Sequence, residues 1–99
     1  MINLEQIIGF EWDEGNGRKS ADKHDVNQAE AESIFFGHPL ILAEDSGHSK
    51  AERRFNALGQ TIHGRTLHVT FTLRKNGTLI RVISARDMNR KERQFYVQA

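Results

Sequence analysis

Three arginines in the second half of the chain have the residue type and setting to hold a phosphate group. Arg81 and Arg86 lie on one largely apolar segment, and Arg54 lies in a separate segment upstream. A guanidinium group is planar and stays charged at physiological pH, so it can bind two oxygens of one phosphate at once. The pattern predicts a site in which the three side chains converge on a phosphodiester.

RNA cleavage without a metal is the reaction that suits such a site. The ribose 2′-hydroxyl attacks the adjacent phosphate, which requires a base, cations that stabilise the developing charge, and a proton for the leaving oxygen. Histidine, arginine, lysine and tyrosine can fill these roles. We therefore add His24 to Arg54, Arg81 and Arg86 as a candidate acid or base.

Each candidate also has an interpretation without chemistry. Arg81 can be a solvent-facing residue of an antiparallel strand. Lys23 and His24 fall at the end of a short predicted helix, where the helix dipole favours positive charge. His68, on the polar face of a strand, can join the site or remain uninvolved. Tyr96 can stack on a base, but we expect it to pack.

The elements that position these residues indicate an α+β fold. Ile7 to Trp12 is predicted as a short first strand, and Arg18 to His24 as a helix of about two turns. An Asn-x-x-Glu capping box beginning at Asn27 predicts a second helix from Gln28 to Phe36. Ile41 to Glu44 can be extended.

The second half has the pattern of an antiparallel meander. Apolar and polar residues alternate from Arg65 to Arg74, as in a half-buried strand. Asn76-Gly77 predicts a hairpin that returns this strand onto a second one at Leu79–Arg86. The strand before the Arg65–Arg74 segment is predicted from Arg54 to Ile62. Asn89 is the predicted N-cap of a C-terminal helix, with Glu92 at the third position as in a capping box. The aromatic residues expected in the core are Phe10, Trp12, Phe35, Phe36, Phe55 and Phe71.

Length and composition set further limits. Residues 1–99 are expected to form a single domain. The chain has no cysteine, which excludes disulfides and thiolate metal sites and favours the cytoplasm. Its histidines and acids lack the spacing of a metal site, so we expect no metal and no other cofactor. No apolar run is long enough to span a membrane, and no leader segment is expected.

The charges are unevenly distributed along the chain. Residues 1–49 carry three basic and ten acidic side chains, a net charge of −7, whereas residues 50–99 carry eleven basic and three acidic ones, a net charge of +8. One interpretation is a basic surface that faces a polyanion or an acidic partner. The other is that folding interleaves the two halves and cancels the field.

Several fragments, in this order and spacing, resemble one known family, the BrnT toxins. The resemblance covers nearly the whole chain. The fragments are Phe10-Glu11-Trp12-Asp13, Lys23-His24 with Val26, Glu52-Arg53-Arg54-Phe55 with Ala57-Leu58-Gly59, Gly64-Arg65, and Ile80-Arg81-Val82-Ile83-Ser84-Ala85-Arg86 followed by Glu92-Arg93 and Tyr96.

The resemblance implies the toxin of a type II toxin–antitoxin pair, a ribonuclease whose fold is related to the RelE-like enzymes. It also implies a BrnA-type antitoxin with a ribbon-helix-helix domain. That partner would neutralise the toxin in a two-plus-two assembly and bind the operator DNA of the pair.

Two hypotheses follow. In the first, the chain is a metal-independent endoribonuclease in which Arg54, Arg81, Arg86 and His24 act on the reacting phosphate. In the second, it is a non-catalytic module that binds nucleic acid or another protein. The additional RNA contacts expected under the first hypothesis are Lys23, Arg65, His68, Arg90 and Lys91.

Overall fold

The computed structural model describes residues 2–13, 24–48 and 52–99, and within these residues five strands form one mixed sheet. The strands are β1 (Gly9–Trp12), β2 (Ile41–Glu44), β3 (Phe55–Gln60), β4 (Thr66–Arg74) and β5 (Leu79–Asp87), arranged in the order β1-β5-β4-β3-β2. The described helices are α1 (Gln28–Ser33) and α2 (Arg90–Tyr96), with 3-10 turns at Leu4–Gln6, Ile34–Phe36 and Ser46–His48.

The predicted meander is confirmed, since β3, β4 and β5 pair in antiparallel fashion. On β4, Leu67, Val69 and Phe71 are fully buried, as the alternation required. The hairpin turn begins one residue earlier than expected. The N–H of Gly77 donates to the carbonyl of Arg74 at 3.2 Å, and positive φ angles begin at residue 75.

The sheet is wider than the meander, because a short strand joins each of its edges. β1 pairs in parallel with β5, from Gly9 opposite Leu79 to Trp12 opposite Val82. β2 pairs in antiparallel fashion with β3. Parallel partners need a long connection between them, so no local turn signal marks the pairing of β1.

Helix α1 covers one face of the sheet, which we call the inner face. The predicted capping box is present, with the Asn27 side chain accepting from the N–H of Glu30 and the Glu30 side chain accepting in return. The α-helix ends at Ser33 and continues as a 3-10 turn whose Ile34 is buried. The expected helix from Arg18 to His24 falls, except for His24, outside the described residues.

Helix α2 also begins with the predicted capping box, formed by Asn89 and Glu92. Tyr96 is buried, as expected, and its hydroxyl donates to the carbonyl of Pro39. Phe36 was expected in the core, but it is 76% exposed because the 3-10 turn directs it outward. No helix in the described part of the chain is long and apolar enough to cross a membrane.

Candidate functional site

A β-bulge in β5 places Arg81 and Arg86 on the same face of the sheet. Residues five apart on a regular strand point to opposite faces. The register against β4 shifts between Thr70 and Phe71, which leaves one extra residue, Ile83, on β5. Both arginines therefore lie on the outer face, the one opposite α1.

The structure nevertheless holds these two guanidinium groups apart. Arg81 lies opposite Thr72 and Arg86 lies opposite His68. Those partners are four residues apart on β4, which corresponds to about 13 Å along the strand. Arg54, just before β3, lies level with Thr72 and two strands away from Arg81. The expected convergence of all three arginines on one phosphate is therefore not found.

Arg81 is bound by acids at the β1 edge of the sheet. Its Nη1 lies 3.3 Å from Glu11 Oε1, and its Nη2 lies 3.2 Å from Asp13 Oδ2. Glu11 is also the register partner of Arg81. The charge that interrupts the apolar strand therefore has partners on the neighbouring strand, and it joins β1 to β5.

Arg86 is bound by a different acid, Glu92 of α2. The contact is bidentate, with Nη1–Oε1 at 2.8 Å and Nη2–Oε2 at 2.9 Å. Nη1 also donates to the carbonyl of Asp87 at 3.0 Å. The hydrogen bonds from Arg86 are the main cause of the lowered pKa of Glu92, and those to Glu92 raise the pKa of Arg86. Both groups are therefore charged at neutral pH.

His68 lies beside this ion pair. Its Nε2 is 3.9 Å from Glu92 Oε2, and only 14% of its side chain is exposed. Within the described residues, its buried Nδ1 has no hydrogen-bond partner. Burial, and then the charge of Arg86, lower the pKa of His68. The imidazole is thus neutral near pH 7 and able to accept a proton.

Arg65 was expected to contact RNA, but its five N–H groups are all used within the chain. Nε and Nη2 donate to the two oxygens of Asp87 at 2.7 and 3.0 Å. Nη1 donates to the carbonyl of Asp25 and to Glu30, and Nη2 also donates to the carbonyl of His24. No N–H remains for a phosphate, so the geometry gives Arg65 a structural role.

Four of the nine predicted site residues lie at the same end of the sheet. His24 is held there through its carbonyl, which accepts from Arg65 Nη2 at 3.2 Å. We call this group the Arg86 cluster, and it consists of His24, Arg65, His68, Arg86, Asp87 and Glu92.

The remaining predicted residues lie elsewhere or outside the described part of the chain. Arg90 and Lys91 are exposed on the first turn of α2, next to Glu92. Arg54 and Arg81 lie at the other end of the outer face, and Lys23 falls outside the described residues. Among the side chains described, no three histidines or acids are grouped closely enough to hold a metal ion.

Sequence reasoning missed Asp87 and Glu92 as members of the cluster. Glu92 was identified only as the third residue of a capping box. The sequence does place an acid, Glu92, six residues after Arg86. Whether the two side chains meet, however, depends on how α2 folds back over the sheet.

Comparison with known proteins identifies the family. The family model for the ribonuclease toxin BrnT of type II toxin–antitoxin systems matches residues 12–92. The chain belongs to this family.

The fold is also similar to that of a BrnT protein of known structure. The 1.1 Å crystal structure of the Brucella abortus ribonuclease toxin BrnT superposes with a TM-score of 0.63 at 21% sequence identity. The alignment covers 84% of this chain and 99% of that one. A search of curated proteins gives no match.

The BrnT match includes residues on both faces of the sheet, Trp12 on the inner face and Glu92 at the outer face. Its first residue, Trp12, donates to Glu32 of α1, and its last, Glu92, holds Arg86. Membership of a type II toxin family implies an antitoxin partner for this chain.

Proposed function

We propose that the chain is a metal-independent endoribonuclease that arrests growth by cutting RNA. The observation that carries this proposal is the contact of Arg86 with Glu92 beside a neutral histidine, in a chain whose family consists of ribonuclease toxins. An arginine held by a carboxylate can bind a phosphate, and an imidazole beside it can take a proton from the 2′-hydroxyl of the adjacent ribose.

In this mechanism, Arg86 binds the reacting phosphate and stabilises the charge that develops on it. His68, whose imidazole is neutral, accepts the proton of the 2′-hydroxyl as that oxygen bonds to phosphorus, and His24 protonates the leaving 5′-oxygen as its bond to phosphorus breaks. Arg54 and Arg81, at the far end of the outer face, contact a neighbouring phosphate of the same strand. Further RNA contacts are assigned to Lys23, Arg90 and Lys91, which extend the basic surface.

The partner proposed for this toxin is a BrnA-type antitoxin with a ribbon-helix-helix domain. Two copies of each protein would form the neutralised assembly, and only the antitoxin would contact operator DNA. The sheet with α2 folded against its outer face is consistent with a relationship to RelE-like ribonucleases. We assign the pair to the cytoplasm, where RNA is accessible.

The test is an RNA-integrity assay with the purified full-length chain in the presence of EDTA. Wild type is expected to cut RNA, and Arg86→Ala is expected to leave it intact. Arg53→Ala is the matched control, because Arg53 is an exposed arginine paired with Glu44 away from the cluster. Intact RNA with the wild-type chain, or equal cleavage by the Arg86 variant, would overturn the proposal.

The second candidate function is a non-catalytic module that binds nucleic acid or another protein. The observation that speaks for it against catalysis is that Arg81 and Arg86 are already paired with acids of the same chain, which makes them less available to a reacting phosphate. This candidate predicts RNA binding that weakens steeply with salt while the substrate is recovered uncut. The same assay with a binding measurement at two salt concentrations separates the two functions.

A further inference from the structure

Arg86 and Arg65 differ in which edge of the guanidinium group is occupied. The end of the group carries Nη1 and Nη2, whereas its side carries Nε–H and the adjacent hydrogen of Nη2, which we call the Nε edge. Glu92 binds Arg86 at the end. In Arg65, by contrast, Asp87 occupies the Nε edge.

The Nε edge of Arg86 has no acceptor among the described residues. Its hydrogen bonds to Glu92 and to the carbonyl of Asp87 use both hydrogens of Nη1 and one of Nη2, and 35% of its side chain is exposed. Two parallel N–H groups on one edge match the spacing of two phosphate oxygens. Arg86 can therefore bind a phosphate without releasing Glu92.

The Glu92 carboxylate is itself fixed in place by the start of α2. Oε1 accepts from the N–H of Asn89 at 2.9 Å, and the N–H of Glu92 donates to the Asn89 side chain at 2.8 Å. A carboxylate held by a capping box cannot rotate away without leaving a helix N–H unpaired. Its partner Arg86 is thus held in one orientation.

We propose that Glu92 is a positioning residue of the ribonuclease site. It binds the Nη1–Nη2 end of the Arg86 guanidinium group, so that the Nε edge of this group faces the RNA phosphate. The inference rests on the proposed function. It adds a role for an acid that the sequence assigns only to helix capping. Positioning of this kind contributes to rate because a small displacement of a catalytic group can cost on the order of a hundredfold.

Glu92 also acts on His68 by charge. The charged groups that face His68 are Arg86 of β5, Glu92 of α2 and Asp45 after β2, and Glu92 opposes the lowering of the pKa of His68 by burial and Arg86. Removing the carboxylate should therefore lower the pKa of His68 further. This shift tests whether the carboxylate lies beside the imidazole, whereas the change in kcat relative to a variant that loses only the helix cap tests the positioning role.

The experiment compares Glu92→Gln with Asn89→Ala in the full chain. Glutamine retains the capping oxygen, so the first variant loses the carboxylate charge and the bidentate contact while keeping the cap. The second variant loses the N-cap and leaves the Arg86–Glu92 contact. The measurements are kcat and KM for RNA cleavage, the NMR titration of His68, and thermal unfolding.

We expect Glu92→Gln to lower kcat by up to about a hundredfold and to shift the His68 titration to lower pH. Asn89→Ala should lose stability and retain most of its activity. Should Glu92→Gln fail to fold, Glu92→Asp, whose carboxylate is too short to hold the same geometry, is expected to show the loss of kcat instead.

Each contrary outcome has a distinct meaning. Cleavage by Glu92→Gln equal to that of wild type would overturn the positioning role. Faster cleavage or a lower KM would mean that Glu92 competes with the RNA phosphate, which also overturns it. Equal losses of kcat in Glu92→Gln and Asn89→Ala would mean that Glu92 contributes only by capping α2. An inactive wild type would instead overturn the proposed function, and this inference with it.

Discussion

Arg65 binds both carboxylate oxygens of Asp87, through Nε at 2.7 Å and Nη2 at 3.0 Å. The contact joins the residue before β4 to the last residue of β5. Because the same guanidinium also binds two carbonyls near the start of α1, it connects three parts of the chain that are distant in sequence. The Arg86 cluster is assembled around this connection.

Replacing Arg65 should therefore destabilise the fold. Arg65→Ala leaves Asp87 and the carbonyls of His24 and Asp25 without their donor, and the expected loss is about 2–4 kcal/mol of unfolding free energy. Urea denaturation measures it. Arg53→Ala serves as the control, since its pair with Glu44 is exposed and should leave the midpoint unchanged. An Arg65 variant as stable as the control would contradict the structural role.

Arg81 can be tested against its own ion-pair partner. If it contacts RNA, Arg81→Ala should lower cleavage about tenfold or more, while Glu11→Gln, which frees one side of the same guanidinium, should preserve or increase cleavage. Arg81→Ala removes both ion pairs of the guanidinium, whereas Glu11→Gln removes one and leaves the contact with Asp13. Initial cleavage rates normalised to the folded fraction decide the question. Equal losses in the two variants would show that Arg81 acts only in the fold.

His68 should make stability depend on pH. Because burial lowers its folded pKa below the ordinary value of 6.5, protonation favours the unfolded chain. The stabilisation that comes from the neutral, buried imidazole is complete above pH 6.5 and is lost as pH falls from there through the lowered pKa of the folded state. In that range the free energy of unfolding should decrease by up to about 1.4 kcal/mol per pH unit. His68→Gln should remove this slope between pH 7.5 and 5 in urea denaturation.

A separate loss is expected in more acidic solution. The pKa values of Glu92 and Asp87 lie below their ordinary values of 4.5 and 3.8, chiefly through hydrogen bonds from Arg86 and Arg65. The stabilisation that comes from these two ionised carboxylates is present above their ordinary pKa values and declines as pH falls below them. This decline is expected in wild type and in the His68 variant alike. A wild-type curve that is flat down to pH 5 would refute the assignment to His68.

At Gly59, β3 lies close against the 3-10 turn that follows α1. A Cβ atom there would lie 2.8 Å from the Cβ of buried Ile34, so Gly59→Ala should cost about 1–3 kcal/mol of stability. The control is Gly9→Ala on β1, where the new atom would lie 3.4 Å from the side chain of Leu79. Thermal unfolding of the two variants should differ by several degrees, and equal values would refute the close approach.

The parts of the fold that depend on neighbouring residues were predictable. Both capping boxes, the alternation on β4 and the hairpin after it are set within a few residues of sequence, and all are present. The parallel pairing of β1 and the bulge at Ile83 depend on distant segments, and no local pattern encodes them. For the same reason, the sequence could not distinguish Arg65, whose N–H groups are all used within the chain, from Arg86, whose Nε edge has no acceptor among the described residues.

The uneven charge of the chain is likewise resolved by tertiary contacts. Acids of the first half pair with arginines of the second, which supports the interpretation that folding interleaves the two halves. Pairs of this kind include Glu11–Arg81, Asp13–Arg81, Glu30–Arg65 and Glu44–Arg53.

The bulge makes the length of β5 as important as its composition. Removing Ile83 would restore strict alternation, so that either Arg86 or the apolar residues preceding it would be driven to the wrong side of the sheet. Replacement of Ile83 by another side chain keeps the spacing. A substitution within this strand therefore preserves the face on which Arg86 lies, whereas the insertion or deletion of one residue would reverse it.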